Sequence, residues 1–356
     1  MTTLPPSESF AIFGERMASE LVEHSTDPAC LEREGFWAVT QTFEGDFDAY
    51  RFAKIADLST ASQLPDETFV GVPVKSWQSS VDAETYMDGV RQVRDDIARG
   101  WVYQTNLCRV LSTPLGESIN AFGLWSLMRE HNPAPYLSVI SLDASDVLDA
   151  DVRIVSVSPE LFLRRTGDQL LTSPIKGTAD KESDLLEKDS AENVMIVDLM
   201  RNDLSAVCTE GSVKVVDLLR VEQHPSLVHL VSDVIGEVRP GLSWSTIFNA
   251  LMPPGSVSGA PKSSSLEVIN RLEQAPRGLY CGFVGWVDTR SDAPAGTTAE
   301  LAVAIRTFWQ EHATAGPQLR FGTGAGITWG SDPLREWNET ELKARHLLNV
   351  AAMSLP

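Results

Sequence analysis

The chain is organised around residues 158–204, which read SPELFLRRTGDQLLTSPIKGTADKESDLLEKDSAENVMIVDLMRNDL. In this stretch Glu160 follows a strand-like run, and Lys176 lies in a Pro-x-Lys-Gly-Thr turn. A helical segment then carries Asp189 and Glu192, whose spacing of three residues places both on one helix face. Because that stripe also carries apolar residues, its carboxylates are costly unless a cation neutralises them. The stretch therefore predicts a site that holds charged groups.

The composition excludes several classes of function. The chain has 356 residues, a formal net charge of −20 and a pI of about 4.7, so it lacks the basic surface of a nucleic-acid-binding protein. It has neither a signal peptide nor a run of about 18 apolar residues. Its four cysteines show no C-x-x-C spacing, so neither disulfides nor a cysteine metal site is expected. We expect a soluble, cytoplasmic protein with no nucleic-acid or membrane partner.

Strand-like and helix-like patterns alternate along the chain. Residues 36–43, 68–74 and 102–111 are strand-like, and residues 79–100 have the apolar spacing of an amphipathic helix. Such alternation predicts the α/β (α+β) class, with a layered sandwich of mixed or antiparallel sheets flanked by helices. We assign residues 1–78 to a shortened N-terminal α/β layer and residues 79–352 to the catalytic domain.

In strand 102–111, Gln104, Asn106 and Cys108 share one face, which is therefore either exposed or the wall of a polar cavity.

A second pair of acids, Glu336 and Glu339, has the same three-residue spacing as Asp189 and Glu192. If the two helices face each other, the four carboxylates form an oxygen-only cage of the kind that Mg²⁺ prefers. The alternative is that both pairs belong to solvated helix faces, which an acidic protein has in number.

Other candidate residues also allow two interpretations. The loop 253–262 (PPGSVSGAPK) and the glycine-rich 322–326 can offer backbone N–H groups to an anion, or can be plain turns and bulges. Arg306 can hold a carboxylate or lie at the surface, and His229 can be a core residue. Lys176 can be a solvated turn lysine or, if desolvated, a nucleophile or base. The residues alone favour an enzyme for a small anionic substrate.

Nine linked motifs carry a resemblance to a known family. The chain resembles the chorismate-utilising enzymes, which include anthranilate, aminodeoxychorismate, isochorismate and salicylate synthases, over roughly residues 79–352. The motifs are YQTNL (103–107), SPELF (158–162), SPIKGT (173–178), AENVMIVDLMRNDL (191–204), PPGSVSGAPK (253–262), RGLYCGFVGW (277–286), AVAIRT (302–307), GTGAGI (322–327) and SDPLREWNETELKA (331–344).

The resemblance implies a role for each candidate residue. Mg²⁺ would be held by Glu192 and Glu339, with help from Asp189 and Glu336. Glu160 would act as general acid and His229 would flank the ring of chorismate. The residues expected to bind substrate or neutralise the acids around it are Arg306, Tyr280, Gly326, Gly324, Ser256, Gly177, Thr178, Lys343 and Gln104.

Two positions separate the members of the family. Members that add water at C2 of chorismate have a lysine where this chain has Gln104, which lacks a basic nitrogen. Anthranilate synthases usually have alanine where this chain has Lys176, and that lysine resembles the one that attacks C2 in aminodeoxychorismate synthases. The resemblance thus implies amination of chorismate at C4, with amination at C2, as in anthranilate synthases, as the alternative. A non-catalytic chorismate-binding subunit is a third hypothesis.

The resemblance also implies a partner. Amination requires ammonia, and we find no glutaminase nucleophile motif in this sequence. A separate glutamine amidotransferase subunit is therefore expected to supply it.

Overall fold

The computed structural model describes residues 9–60, 64–179, 181–184, 187–223, 228–291, 296–314 and 316–356. The helices are α1 Ala83–Ala98, α2 Ala121–His131, α3 Glu187–Ser205, α4 Trp244–Leu251, α5 Gly255–Ser258, α6 Lys262–Leu272 and α7 Pro333–Ala351. The strands are β1 Phe10–Phe13, β2 Arg16–Ser25, β3 Phe36–Gln41, β4 Phe47–Asp57, β5 Gln78–Ser79, β6 Gln104–Pro114, β7 Tyr136–Leu142, β8 Val152–Ser158, β9 Leu161–Thr166, β10 Gln169–Ser173, β11 Ile175–Ala179, β12 Lys214–Gln223, β13 Val228–Glu237, β14 Gly259–Ala260, β15 Phe283–Asp288, β16 Thr298–Val303, β17 Thr307–Ala313 and β18 Gly316–Ile327.

Hydrogen bonds connect these strands into one continuous sheet. The longest pairing joins β6 to β18 in antiparallel register, with Asn106 opposite Gly326 and Cys108 opposite Gly324. The N-terminal strands join the same sheet, since β1 pairs with β7 and β3 pairs with β15. All strand pairings among the described residues are antiparallel, and helices flank the sheet. The predicted fold class is confirmed.

Local sequence explains where α1 and α7 begin. The side chain of Asp82 accepts the N–H of Thr85 at 2.8 Å and so caps α1. The side chain of Asp332 caps α7 in the same way, and Pro333 fits the first helical position, where no N–H is needed. Tyr86 and Val90 on α1 are buried against β6 and α7, which fixes α7 over the sheet.

Three clusters of buried apolar side chains hold the layers together. The largest joins β3, β9 and β15 to α3 and α4 and includes Trp37, Phe248 and Phe283. A second lies around α2 and the C-terminal half of α7. A third lies between α1, β6 and α7. The site described below is bordered by strands and helices from the first and third clusters.

One predicted strand is wrong. In residues 68–74, Phe69 forms only an isolated bridge to Leu355, and a short 3₁₀ turn begins at Val74. The N–H of Val72 instead bonds the carbonyl of Ala351, at the end of α7. The segment therefore packs beside the C-terminal end of the chain and not within the sheet. Pro73 has no backbone N–H and could not donate a hydrogen bond to a neighbouring strand.

Among the helices that the structure describes, none combines the length and the apolar character needed to cross a membrane.

Candidate active site

A cavity of about 540 Å³ brings together residues that are far apart in the sequence. It opens between the sheet and the helices α3 and α7. Its walls include fourteen of the sixteen residues predicted for the site: Gln104, Glu160, Lys176, Gly177, Glu192, His229, Ser256, Tyr280, Arg306, Gly324, Gly326, Glu336, Glu339 and Lys343. The side chains of Thr178 and Asp189 lie outside the described residues.

The polar face of β6 forms one wall of this cavity. Gln104, Asn106 and Cys108 line it, as the alternation of strand side chains predicts. Asn106 donates from Nδ2 to the carbonyl of Ser256 at 3.1 Å, and its Oδ1 accepts from Gln104 Nε2 at 3.3 Å. Asn106 was not predicted as a site residue, although its position two residues after Gln104 places it on the same face of the strand.

Lys176 and Glu160 are joined through Ser256. Lys176 lies on β11 and donates from Nζ to the backbone carbonyl of Ser256 at 3.1 Å. Glu160 lies in the turn between β8 and β9, and the hydroxyl of Ser256 donates to its carboxylate. Ser256 itself is buried in the short helix α5. One residue therefore contacts both an acid and a base candidate.

Burial perturbs the pKa values of these two groups in opposite directions. The pKa of Glu160 is raised, because burial disfavours its ionised form more than the Ser256 hydroxyl, the Lys176 charge and the Ile175 N–H favour it. The pKa of Lys176 is lowered, chiefly by burial and also by the charge of Lys343, against the opposing effect of Glu160, Glu192 and Glu339. Compared with solvated groups, Glu160 keeps its proton to higher pH and Lys176 loses its proton at lower pH.

Arg306 lines the same cavity and brings a positive charge to it. It lies between β16 and β17, is half-buried, and has a lowered pKa caused by burial alone. Within the described ranges, no carboxylate lies within ion-pair distance of it. Its backbone has a φ of +52°, a conformation that costs a non-glycine residue of the order of 1–3 kcal/mol. A desolvated arginine that faces a cavity suits a carboxylate ligand.

The glycines of β18 make room for the cavity wall. A Cβ at Gly322 would lie 1.9 Å from the Tyr280 ring, and a Cβ at Gly326 would lie 2.5 Å from Gln104 Nε2. At Gly324 it would lie 2.6 Å from Cys108 Sγ. From the sequence, these glycines allowed either an approach of an anion to the backbone or plain turns and bulges. In the structure, the space at their Cα atoms is taken by the side chains of Tyr280, Gln104 and Cys108, which line the cavity.

The acidic residues of α3 and α7 face the same cavity. Glu192 comes from α3, and Glu336 and Glu339 come from α7. Lys343 donates to Glu339 at 2.7 Å and to the carbonyl of Gly324 at 3.0 Å. Within the described ranges, no three His, Cys, Asp or Glu side chains lie close enough together to hold a metal by themselves. The donor set still fits Mg²⁺, which prefers oxygen and takes one or two carboxylates together with water and substrate.

His229 lies on β13, opposite Thr178 of β11 in the strand register, and only 2% of its surface is exposed. Its ring forms part of the cavity wall rather than part of an apolar core. The structure thus places the three residues predicted to be catalytic, Lys176, Glu160 and His229, around one space; their chemical roles remain predictions.

Comparison with known proteins identifies related chains. The family model described as chorismate binding enzyme matches residues 30–349. The chain is 34% identical over 333 residues to anthranilate synthase component 1 1 of Haloarcula marismortui, covering 88% of this chain and 64% of that protein. It is 32% identical over 330 residues to aminodeoxychorismate synthase component 1 of Bacillus subtilis, covering 88% of this chain and 66% of that protein. The chain therefore spans slightly less than two-thirds of the length of these relatives.

The fold also has a counterpart among solved structures. The crystal structure of anthranilate synthase component I from Streptococcus pneumoniae matches with a TM-score of 0.73, over 97% of this chain and 91% of that chain. The sequence identity in this match is 22%, so the likeness is one of fold.

Proposed function

The chain belongs to the family of chorismate binding enzymes, and from that premise we propose that it converts chorismate and ammonia to 4-amino-4-deoxychorismate. The observation that carries the proposal is the position of the Lys176 amino group in the cavity, together with its lowered pKa. Its amino group lies half-buried in the cavity and has a lowered pKa, and the carboxyl of Glu160, whose pKa is raised, lines the same cavity. A neutral lysine is a nucleophile and a protonated carboxyl is an acid, so both groups are tuned for the same step.

The proposed first step forms an enzyme–substrate bond. Lys176 Nζ attacks C2 of chorismate, the ring double bonds shift, and the C4 hydroxyl leaves as water with the proton of Glu160. Ammonia then attacks C4, the double bonds shift back, and the bond between C2 and Nζ breaks. The proton that the incoming nitrogen loses returns to Glu160, so the net reaction is chorismate plus ammonia giving 4-amino-4-deoxychorismate plus water. Two easier displacements replace one difficult displacement.

The remaining cavity residues bind and orient the substrate in this proposal. Arg306, Tyr280 and the β18 backbone at Gly324 and Gly326 hold the enolpyruvyl carboxylate, and His229 flanks the ring. Gly177 and Thr178 follow Lys176 on β11 and are assigned to substrate binding.

Mg²⁺ is part of the proposal through the acids of α3 and α7. Glu192 and Glu339 would hold the ion, with Asp189 and Glu336 assisting, and Lys343 would balance the remaining negative charge. When bound, the ion supplies positive charge that neutralises the ring carboxylate of the substrate.

We further infer that a glutamine amidotransferase supplies the ammonia. The relatives of this chain are named component 1 of their synthases, which supports the existence of another component.

The test of the proposal is the identity of the product. The purified chain is incubated with chorismate, Mg²⁺ and ammonium, and the products are separated and identified by mass. We expect 4-amino-4-deoxychorismate. Direct formation of anthranilate, detected by its fluorescence, would overturn the proposal in favour of C2 amination. That alternative is favoured by the Haloarcula relative, which is named an anthranilate synthase component.

A second measurement examines the covalent step. When ammonium is omitted, intact-protein mass spectrometry should show an adduct of chorismate minus water on Lys176. The adduct should be absent from Lys176→Ala and present in Lys75→Ala, an exposed lysine outside the cavity. Turnover by Lys176→Ala at the wild-type rate would exclude the lysine as nucleophile. No turnover by the wild-type chain would favour a non-catalytic chorismate-binding subunit.

A further inference from the structure

We infer that Arg109 is a positioning residue for the metal-binding face of α7. This inference rests on the proposed function to the extent that Glu336 and Glu339 are taken to belong to the Mg²⁺ site. Arg109 itself lies outside the cavity, on the face of β6 that points towards α7, and only 3% of its surface is exposed.

The guanidinium of Arg109 contacts three residues of α7: Trp337, Thr340 and Glu341. Its Nε donates to Thr340 Oγ1 at 3.0 Å, and its Nη2 donates to the carboxylate of Glu341. Its Cζ lies over the Trp337 ring, 4.2 Å from the ring centroid. Its Nη1 donates to Ser79 Oγ at 3.1 Å, which ties the group to β5. A planar, rigid set of donors fixes direction as well as distance.

The residues that Arg109 contacts and the residues that line the cavity lie on different sides of α7. At about 100° per residue, 337, 340 and 341 lie on one side of α7, and 336, 339 and 343 are centred on another. The cavity side is held to β18, where Lys343 donates to the Gly324 carbonyl at 3.0 Å. Arg109 adds the contacts on the other side, where the Thr340 carbonyl also accepts from Thr323 Oγ1 at 2.9 Å. Together they determine the rotation of α7 about its axis.

The rotation matters because metal sites tolerate little displacement. A rotation of about 10° moves a carboxylate at the helix surface by about 1 Å. A functional site must keep its groups within about 0.5 Å of the productive geometry. Loss of the Arg109 contacts should therefore weaken metal binding even though Arg109 touches neither metal nor substrate. Residues that orient metal ligands typically change affinity by about 10- to 100-fold when mutated.

The experiment measures metal binding directly, on the whole purified chain without chorismate. Mn²⁺, which accepts the same oxygen ligands as Mg²⁺, is titrated and the free ion is followed by electron paramagnetic resonance. We expect Arg109→Met to raise the Kd for Mn²⁺ by about tenfold or more. We expect Arg109→Lys, which keeps the charge but not the fork of donors, to fall between this variant and the wild type.

The matched control is Arg153→Met. Arg153 is also buried, bonds the carbonyl of Leu142 and pairs with Asp143, and lies outside the cavity wall. Its loss should lower the melting temperature and leave the Kd for Mn²⁺ unchanged. An equal rise of the Kd in both methionine variants would mean general loosening of the fold and would overturn the inference.

Should Arg109→Met fail to fold, Glu341→Gln removes a half-exposed partner of the same cluster and should raise the Kd in the same direction. An unchanged Kd in the folded Arg109 variants, or in Glu341→Gln where those do not fold, overturns the positioning role. If the wild-type chain itself binds no Mn²⁺, the metal site and this inference both fail. The identity of the amination product is measured separately and is unaffected by either result.

Discussion

Ser256 shows how one small residue connects two chemical groups. Its carbonyl accepts from Lys176, and its hydroxyl donates to Glu160. A hydrogen bond to an ionised carboxylate favours that form, so the hydroxyl limits how far burial raises the pKa of Glu160. The carbonyl orients the lysine without changing its charge. The two effects belong to different atoms of one residue and can therefore be separated by mutation.

The first prediction concerns Ser256→Ala. Removing the hydroxyl leaves the carbonyl contact to Lys176 and withdraws a stabilising donor from ionised Glu160, so the pKa of Glu160 should rise further. Because the protonated carboxyl is the active form in the proposal, the limb of the pH–rate profile that reports loss of this proton should move to higher pH. Steady-state kcat measured across the pH range checks the shift.

The control for this variant is Ser258→Ala, in the same short helix. Ser258 is buried but bonds the carbonyl of Pro254 and does not line the cavity. Ser258→Ala should therefore leave the pH–rate profile unchanged. A profile of Ser256→Ala that moves to lower pH, or stays in place, would contradict the role given to the hydroxyl.

The second prediction concerns Arg306. Its burial without a carboxylate partner among the described residues is costly unless an anionic ligand compensates. A hydrogen bond to a charged group is worth about 1.5–3 kcal/mol, so Arg306→Met should raise the KM for chorismate by roughly 10- to 100-fold. Arg306→Lys should recover only part of this, because an ammonium cannot bind a carboxylate through two parallel donors.

The matched control is Arg164→Met, which loses a partly exposed ion pair with Glu300 on β16. Exposed pairs contribute little, so its KM should stay within about twofold of the wild type. A wild-type KM for chorismate in Arg306→Met would remove this residue from the binding site.

At the scale of the element, the glycines of β18 decide the shape of the cavity wall. The third prediction is that Gly322→Ala destabilises the fold by about 1–3 kcal/mol, since its Cβ would lie 1.9 Å from the Tyr280 ring and the ring must move. The displaced Tyr280 should also weaken chorismate binding. Urea unfolding and the KM for chorismate measure the two effects.

Gly330→Ala is the control for this substitution. No atom lies within 4 Å of the position that its Cβ would take, so its stability should equal or slightly exceed that of the wild type. If Gly322→Ala and Gly330→Ala unfold at the same urea concentration, the close approach of Tyr280 does not constrain the strand.

Elements were predictable where local chemistry decides them. α7 begins at Pro333, after its Asp332 cap, as the Asp-Pro pair predicts. The helix predicted over residues 79–100 begins only at Ala83, with Asp82 as its cap, because Ser79 belongs to β5 and pairs with β6. The strand predicted at 68–74 does not form, because this segment contacts the far end of the chain instead of another strand of the sheet. The strand propensity of a segment gives no information about which distant residues it will contact.

At the scale of the whole molecule, the residues alone did not place the cavity. Glu192 and Glu339 lie 147 positions apart, and only the packing of α3 and α7 around the sheet brings them to one space. From spacing, their acid pairs were at least as well explained by solvated helix faces. The resemblance to a family is what predicted that these acids share one site. The contacts of Ser256 with Glu160 and of Arg109 with α7 depend on side-chain geometry that no sequence motif encodes.

The last prediction concerns the charge of the whole chain. A net charge of −20 repels an anionic substrate at long range, whereas Arg306 and Lys343 attract it only inside the cavity. Salt shortens the Debye length from about 30 Å at 0.01 M to about 8 Å at 0.15 M, which screens the long-range repulsion more than the contacts in the cavity.

The rate constant for chorismate association, measured by stopped flow at fixed free Mg²⁺, should therefore rise about two- to threefold over this range of salt. Sucrose at matched osmolality should leave it unchanged. A steep fall with salt would mean that the cavity's positive groups dominate the field beyond its mouth, and that the acidic surface has no part in substrate capture.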